Sequence, residues 1–105
     1  MLDMLRIAYY TSHMIKSWKN RATRRFAEEG KSKFSGMDEQ KARRRLNLLD
    51  SISDLKDIAP LNSIHLHALK GDRKGQWAMT INDQWRLVFA FKEGDAYDVE
   101  IVDYH

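Results

Sequence analysis

The chain contains no cysteine, which removes disulfides, thiolate nucleophiles and cysteine-ligated zinc sites together and fits a reducing compartment. It has one proline and five glycines, and no linker or low-complexity segment interrupts it. Long apolar runs are absent as well. The longest patches are strand-sized, far below the roughly 18 residues that a spanning helix needs, so no membrane association is expected. The opening stretch MLDMLRIAYYTSH has no basic region ahead of a continuous apolar segment and no small-residue cleavage site. A secretory signal is therefore not expected, and the cytoplasm is the expected location.

What is present suffices for one domain. In 105 residues, 43% are hydrophobic, including three Trp, four Tyr and four Phe, and 31% are charged. Such a chain fills one core and has no room for a second. The net charge of +3 hides an asymmetry: residues 1–60 hold 13 Lys/Arg against 8 Asp/Glu, whereas residues 61–105 hold 5 against 7. The clusters Arg21, Arg24, Arg25 and Lys41, Arg43, Arg44, Arg45 would attract phosphates through counterion release. The same clusters also fit a solvated helix face, so charge alone does not decide function.

Met14 to Trp18 alternates apolar and polar residues and predicts a short strand; residues 1–13 before it are expected to be an N-terminal extension and residues 14–105 the domain proper. Asn20 is a candidate N-cap for a helix running to about Gly30, with Ala22, Phe26 and Ala27 toward one side. After a polar loop, Asp38 caps a second amphipathic helix over roughly residues 38–53, in which Ala42, Leu46, Leu49 and Ile52 recur at spacings of four and three. Its polar face is expected to carry Lys41, Arg44 and Arg45. Beyond Pro60 the period changes to two: residues 64–69, the run around Trp77, Met79 and Ile81, and Trp85 to Phe91 predict three strands, and Tyr97, Val99 and Ile101 a fourth. Asn82-Asp83 supplies one turn and Lys92 to Asp95 another, with Gly94 available for positive φ. The expected class is α+β, two N-terminal helices packed on one face of a twisted, mainly antiparallel sheet of four to five strands. The pairing of the first strand is not legible.

Three stretches have chemical potential. His65 to Gly75 ends a strand in a Gly-bounded loop with three cations, Lys70, Arg73 and Lys74. It is not a Walker phosphate loop, because the spacing Gly-x-x-x-x-Gly-Lys-Ser/Thr is absent. In Trp85 to Phe89 a single arginine, Arg86, interrupts an apolar strand; burying it is costly unless it is paired, with Asp98 or Glu100 as structural partners and a phosphate as the functional one. At the terminus, an extended strand would put Asp103 and His105 on one side, where a carboxylate can orient an imidazole for general acid or base work. Against this stand a frayed terminal histidine and a metal site made by Asp98, Asp103 and His105, which lacks a second histidine at motif spacing.

Taken together, His-x-Leu-Lys-Gly-Asp-Arg-x-Gly-x-Trp at 67–77, Asn-x-x-Trp-Arg at 82–86, Gly-Asp-Ala-Tyr at 94–97 and the ending Asp-Tyr-His at 103–105 resemble the HigB toxins of the RelE superfamily. The resemblance spans about residues 14–105; Ala68 departs from a proline common in relatives. It implies a RelE-like fold and a type II toxin that cleaves mRNA in the ribosomal A site without metal or other cofactor. By position it makes Lys70 and His105 catalytic, with Asp103 and Tyr104 beside them, and puts His67, Arg73 and Arg86 around the substrate phosphate. The implied chemistry is attack of the ribose 2′-OH on its own 3′-phosphate, with Lys70 and His105 both able to take the proton. The implied partners are the ribosome and mRNA, and a helix-turn-helix antitoxin of the HigA kind through which the complex would bind operator DNA. A gyrase-poisoning toxin of the same fold and a non-catalytic RNA- or protein-binding module are the alternatives.

Overall fold

The computed structural model describes residues 14–104; the expected extension at residues 1–13 and the terminal His105 lie outside the described residues. Asn20, in extended backbone, accepts from the Thr23 amide and opens helix α1 (Arg21–Glu29), which Gly30 closes in the left-handed region at φ 73°. Asp38 accepts from the Lys41 amide and opens α2 (Glu39–Ser51). Both caps satisfy amide donors that a helix start leaves unpaired. Four strands follow: β1 (His67–Ala68), β2 (Gln76–Thr80), β3 (Trp85–Lys92) and β4 (Asp95–Asp103). They pair antiparallel in the order β1-β2-β3-β4. Lys92 pairs with Asp95 across a two-residue turn in which both Glu93 and Gly94 have positive φ, matching the right-handed strand twist.

The N-terminal segment does join the sheet. Ile15 bridges Ala96 and Trp18 bridges Val99 in parallel, so this segment covers the outer edge of β4 and the sheet is mixed rather than wholly antiparallel. Asp50 at the end of α2 accepts from the amides of Met14 and Ile15 and thereby ties the segment down. The predicted strand over 64–69 is the main correction. Residues Asn62–Ile64 form a 3-10 turn and His65 takes φ 50°, which breaks the extended run and leaves a two-residue strand at the edge. Alternation alone could not reveal this, since Ile64 still reaches the core from the turn.

Both helices cover one face. Phe26 of α1 and Ala42, Leu46 and Leu49 of α2 pack with Met79, Leu87, Phe89, Val99 and Ile101 of the sheet. Arg45 departs from the expected polar face: its Nε donates to the Thr80 carbonyl at 2.8 Å and its Nη2 to that of Ser63 at 3.4 Å. Burial, and after it neighbouring Arg44, lower its pKa from the ordinary arginine value.

Thr23 is the buried polar residue that joins helix to sheet. Fully inaccessible, it accepts the Ile101 amide at Oγ1 over 3.0 Å. Thr23→Val preserves shape but strands that amide, and a loss of about 1–3 kcal/mol is expected. Thr23→Ser, which keeps the acceptor, should cost less in parallel chemical denaturation; equal or greater loss in the serine variant would assign the residue's contribution to its methyl group instead.

Candidate active site

Residues directly opposite on neighbouring strands project from the same face of a sheet. Leu87 and Phe89 of β3 point to the helices, so Arg86 and Val88 point away from them. On that helix-free face one row runs His67, Ala78, Val88, Glu100, and the next runs Thr80, Arg86, Val102. The small, buried Ala78 and Val88 make an apolar floor between polar ends. Cross-strand pairing thus brings His67 and Arg86, 19 positions apart in the chain, onto one surface.

Arg86 finds neither of its two expected carboxylates. Its Nη1 donates to the carbonyls of Asn82, Asp83 and Trp85 at 2.5, 3.2 and 3.1 Å. Its guanidinium also lies 4.5 Å from the centre of the Tyr104 ring. Carbonyl oxygens hold an arginine without neutralising it, so the positive charge remains available to an anion. The turn that supplies these carbonyls is braced from the helix side. Asn82 Nδ2 donates to Gly36 O at 3.0 Å, and Trp85 Nε1 to Ser35 O at 3.0 Å.

The end of β4 is fastened to the same turn. Gln84 Nε2 donates to Asp103 Oδ2 at 3.2 Å, and the Tyr104 amide donates to the Gln84 carbonyl. Asp103 is paired with Trp85 and so belongs to the face opposite Arg86. Tyr104, half-exposed at 51%, is the ring that reaches Arg86. The expected pairing of Asp103 with His105 falls on a residue outside the described ones.

At the other edge, His67 Nδ1 lies 2.9 Å from the His65 carbonyl. A carbonyl only accepts, so Nδ1 of His67 is the donor in this contact. Lys70 stands exposed at the start of the 3-10 turn Gly71–Arg73, just past the last β1–β2 bond, Leu69 N to Gln76 O. Gly71 and Gly75 both have positive φ, at 65° and 97°, which allows the loop to fold back on itself. Arg73 Nη1 meets Gln76 Oε1 and Glu100 Oε1, each at 3.1 Å. Glu100, offered as a partner of Arg86, is thus the partner of Arg73. Gln84 was not recognisable as a site residue; the turn before β3 puts it beside Asp103.

Away from this face, the basic clusters divide. Arg24 and Arg25 are engaged by Glu28 and Glu29 one turn on, as a solvated helix face would have it. Arg21, Lys41 and Arg44 have no ion pair among the described residues. A cleft of about 590 Å³ beside α2 is lined by Lys41, Arg44, Arg45 and His65, with Asp83 as its acidic residue. Another of about 400 Å³ beside α1 gathers Arg21, Arg25, Lys31 and Lys33. No helix among the described residues is long and apolar enough to cross a membrane.

The fold is similar to that of a mutant of YafQ from E. coli, with a TM-score of 0.57 at 16% identity over 85% of this chain and 90% of that one. The family described as the RelE-like toxin of type II toxin-antitoxin system HigB matches residues 16–105, which makes the protein a toxin of the RelE-like class. Endoribonuclease HigB of Proteus vulgaris is 39% identical over 94 residues, covering 88% of this chain and 100% of the relative. The chain belongs to the HigB-like toxin family. A toxin of a type II system implies an antitoxin partner.

Proposed function

We propose that this toxin is a metal-independent endoribonuclease that cuts mRNA in the ribosomal A site, by attack of a ribose 2′-OH on the adjacent 3′-phosphate. The observation that carries the reading is one sheet face bearing His67 and Arg86, met by Tyr104 just past β4 and by Arg73 through Glu100, with Lys70 on the same loop as Arg73 at its edge. The name of the Proteus vulgaris relative, an endoribonuclease, supports it further. In-line displacement needs a base, an acid and compensation of the charge that grows on the phosphoryl oxygens. Arg86, held by carbonyls, and Arg73 supply fixed cations for that charge. Lys70 and His105 are the proton-transfer groups, Asp103 steadies the tail through Gln84, and Tyr104 offers a face on which a base can stack.

The reaction is confined to the ribosome in this reading. Basic clefts on the helix side give sequence-independent attraction to RNA, while the sheet face has few groups to organise a free strand. Purified protein should therefore cut mRNA on programmed ribosomes and leave naked mRNA nearly intact, with ribosome association weakened by salt. Efficient cutting of naked mRNA at stoichiometric protein would contradict the confinement.

In the cell, expression of the chain alone should arrest growth, and mapping of mRNA 5′ ends after brief induction should show new ends inside coding regions. A helix-turn-helix antitoxin of the HigA kind should relieve the arrest and carry the complex to operator DNA, with the toxin acting in the cytoplasm. Normal growth at high expression without a partner would sink this reading. Arrest without new mRNA ends, accompanied by DNA damage, would favour gyrase poisoning instead.

A further inference from the structure

Glu100 has no assigned part in cleavage, yet it sits on the face where cleavage is placed. Its side chain is only 16% exposed, at the end of the row His67, Ala78, Val88, Glu100. A carboxylate is an odd choice beside a site that must attract phosphate, because it repels the substrate and costs desolvation. Its one ion pair among the described residues is with Arg73, at 3.1 Å, and that arginine belongs to the loop that begins at Lys70. Two positive-φ glycines flank Arg73, and the hydrogen bonds inside the loop, Arg73 N to Lys70 O at 3.3 Å and Lys74 N to Gly71 O at 3.1 Å, are those of a single weak turn. Such a segment has little stiffness of its own.

We propose that Glu100 is a positioning residue for the cleavage reaction: through Arg73 it clamps the 70–75 loop onto the sheet and sets the orientation of the guanidinium toward the RNA phosphate. This rests on the cleavage reading above. The geometry suits the role. Both Glu100 and Gln76 take Arg73 by Nη1, so Nε and Nη2 remain for bonds to a phosphoryl group. An arginine anchored at one corner of its fork presents the others in a defined plane, which a lysine or an unanchored arginine does not. Lys70, three residues before Arg73, is held in place by the same clamp.

The test compares full-length Glu100→Ala, Glu100→Gln, Arg73→Ala and the Glu100→Ala/Arg73→Ala double variant. In single-turnover cleavage on programmed ribosomes, Glu100→Ala should be slower by about tenfold or more, the scale set by small misplacements of reacting groups. Glu100→Gln, which keeps an acceptor oxygen for Nη1, should recover part of the rate. In the Arg73→Ala background, loss of Glu100 should add nothing, whereas a merely structural role would add its full effect. Hydrogen exchange of the free protein reads the clamp without RNA: the Arg73 and Lys74 amides should exchange faster in Glu100→Ala and in Arg73→Ala, to the same extent. Parent rate and parent exchange in Glu100→Ala overturn the inference, as does additivity in the double variant. If exchange responds as stated but the parent protein cuts no RNA, the clamp stands and the cleavage reading falls.

Discussion

Alanine at Lys70 or at His105 is expected to slow single-turnover mRNA cleavage on programmed ribosomes by about 100-fold or more, the scale of losing a proton-transfer or charge-stabilising group. Stability should hardly change for Lys70→Ala. Lys70 is exposed and starts a short turn without a side-chain cap bond, so a shift within about 0.5 kcal/mol is expected. For His105 the same expectation rests on its chemistry and on the Asp-Tyr-His ending that resembles the family's, not on a described position. The double variant should lose far less than the product of the two single effects, because both groups serve one transition state. Ribosome binding should persist in all three, since the cations beside α1 and α2 are untouched. A folded His105→Ala protein that cuts at nearly the parent rate would refute the assignment of the site.

Phe26→Ala is expected to be the most damaging single change to the fold. Phe26 is fully buried, meets Phe34 edge-on with ring centres 6.5 Å apart and receives the Arg43 guanidinium 4.8 Å from its own centre. Truncating such a residue costs about 3–5 kcal/mol through lost transfer energy and the cavity left behind. In a domain this small that corresponds to a fall in Tm of more than about 12 °C. The damage should reach the site. Phe34 packs on Trp85 at 5.3 Å, and Trp85 bonds the Ser35 carbonyl beside the turn that holds Arg86. Cleavage by Phe26→Ala should therefore fail at temperatures where its residual structure, followed by circular dichroism, still persists. A Tm drop of less than about 5 °C, the shift that roughly 1 kcal/mol produces, would mean that the core closes over the gap.

How much of this was legible follows from how local each signal is. The caps at Asn20 and Asp38, the stop at Gly30 and the two-residue turn at Glu93-Gly94 depend on neighbours within a few positions, and all are where the sequence puts them. So do the 3.6-residue spacing of Ala42, Leu46 and Leu49 and the alternation of Trp85, Leu87 and Phe89, because burial selects one face at each period. The strand expected over 64–69 survives only at His67–Ala68, for the complementary reason. Its apolar residues satisfy the core from a 3-10 turn as well as from a strand, and no local rule announces a left-handed His65.

What the sequence determined by itself is the class of fold, the two helices, the last three strands and, through four ordered motifs, the family. Tertiary structure alone decided their relations. The parallel docking of residues 15–18 on β4, the Tyr104 ring over Arg86, the turn of Arg45 away from solvent and the pairing of Arg73 with Glu100 all depend on how distant segments of the chain come together. Charge and periodicity state what a residue needs, an anion or an apolar neighbour, but several partners can meet each need. Arg86 had two plausible carboxylates and takes neither, because the turn before β3 folds its own carbonyls within reach, while the cross-strand register leaves Glu100 opposite Val88, where Arg73 meets it.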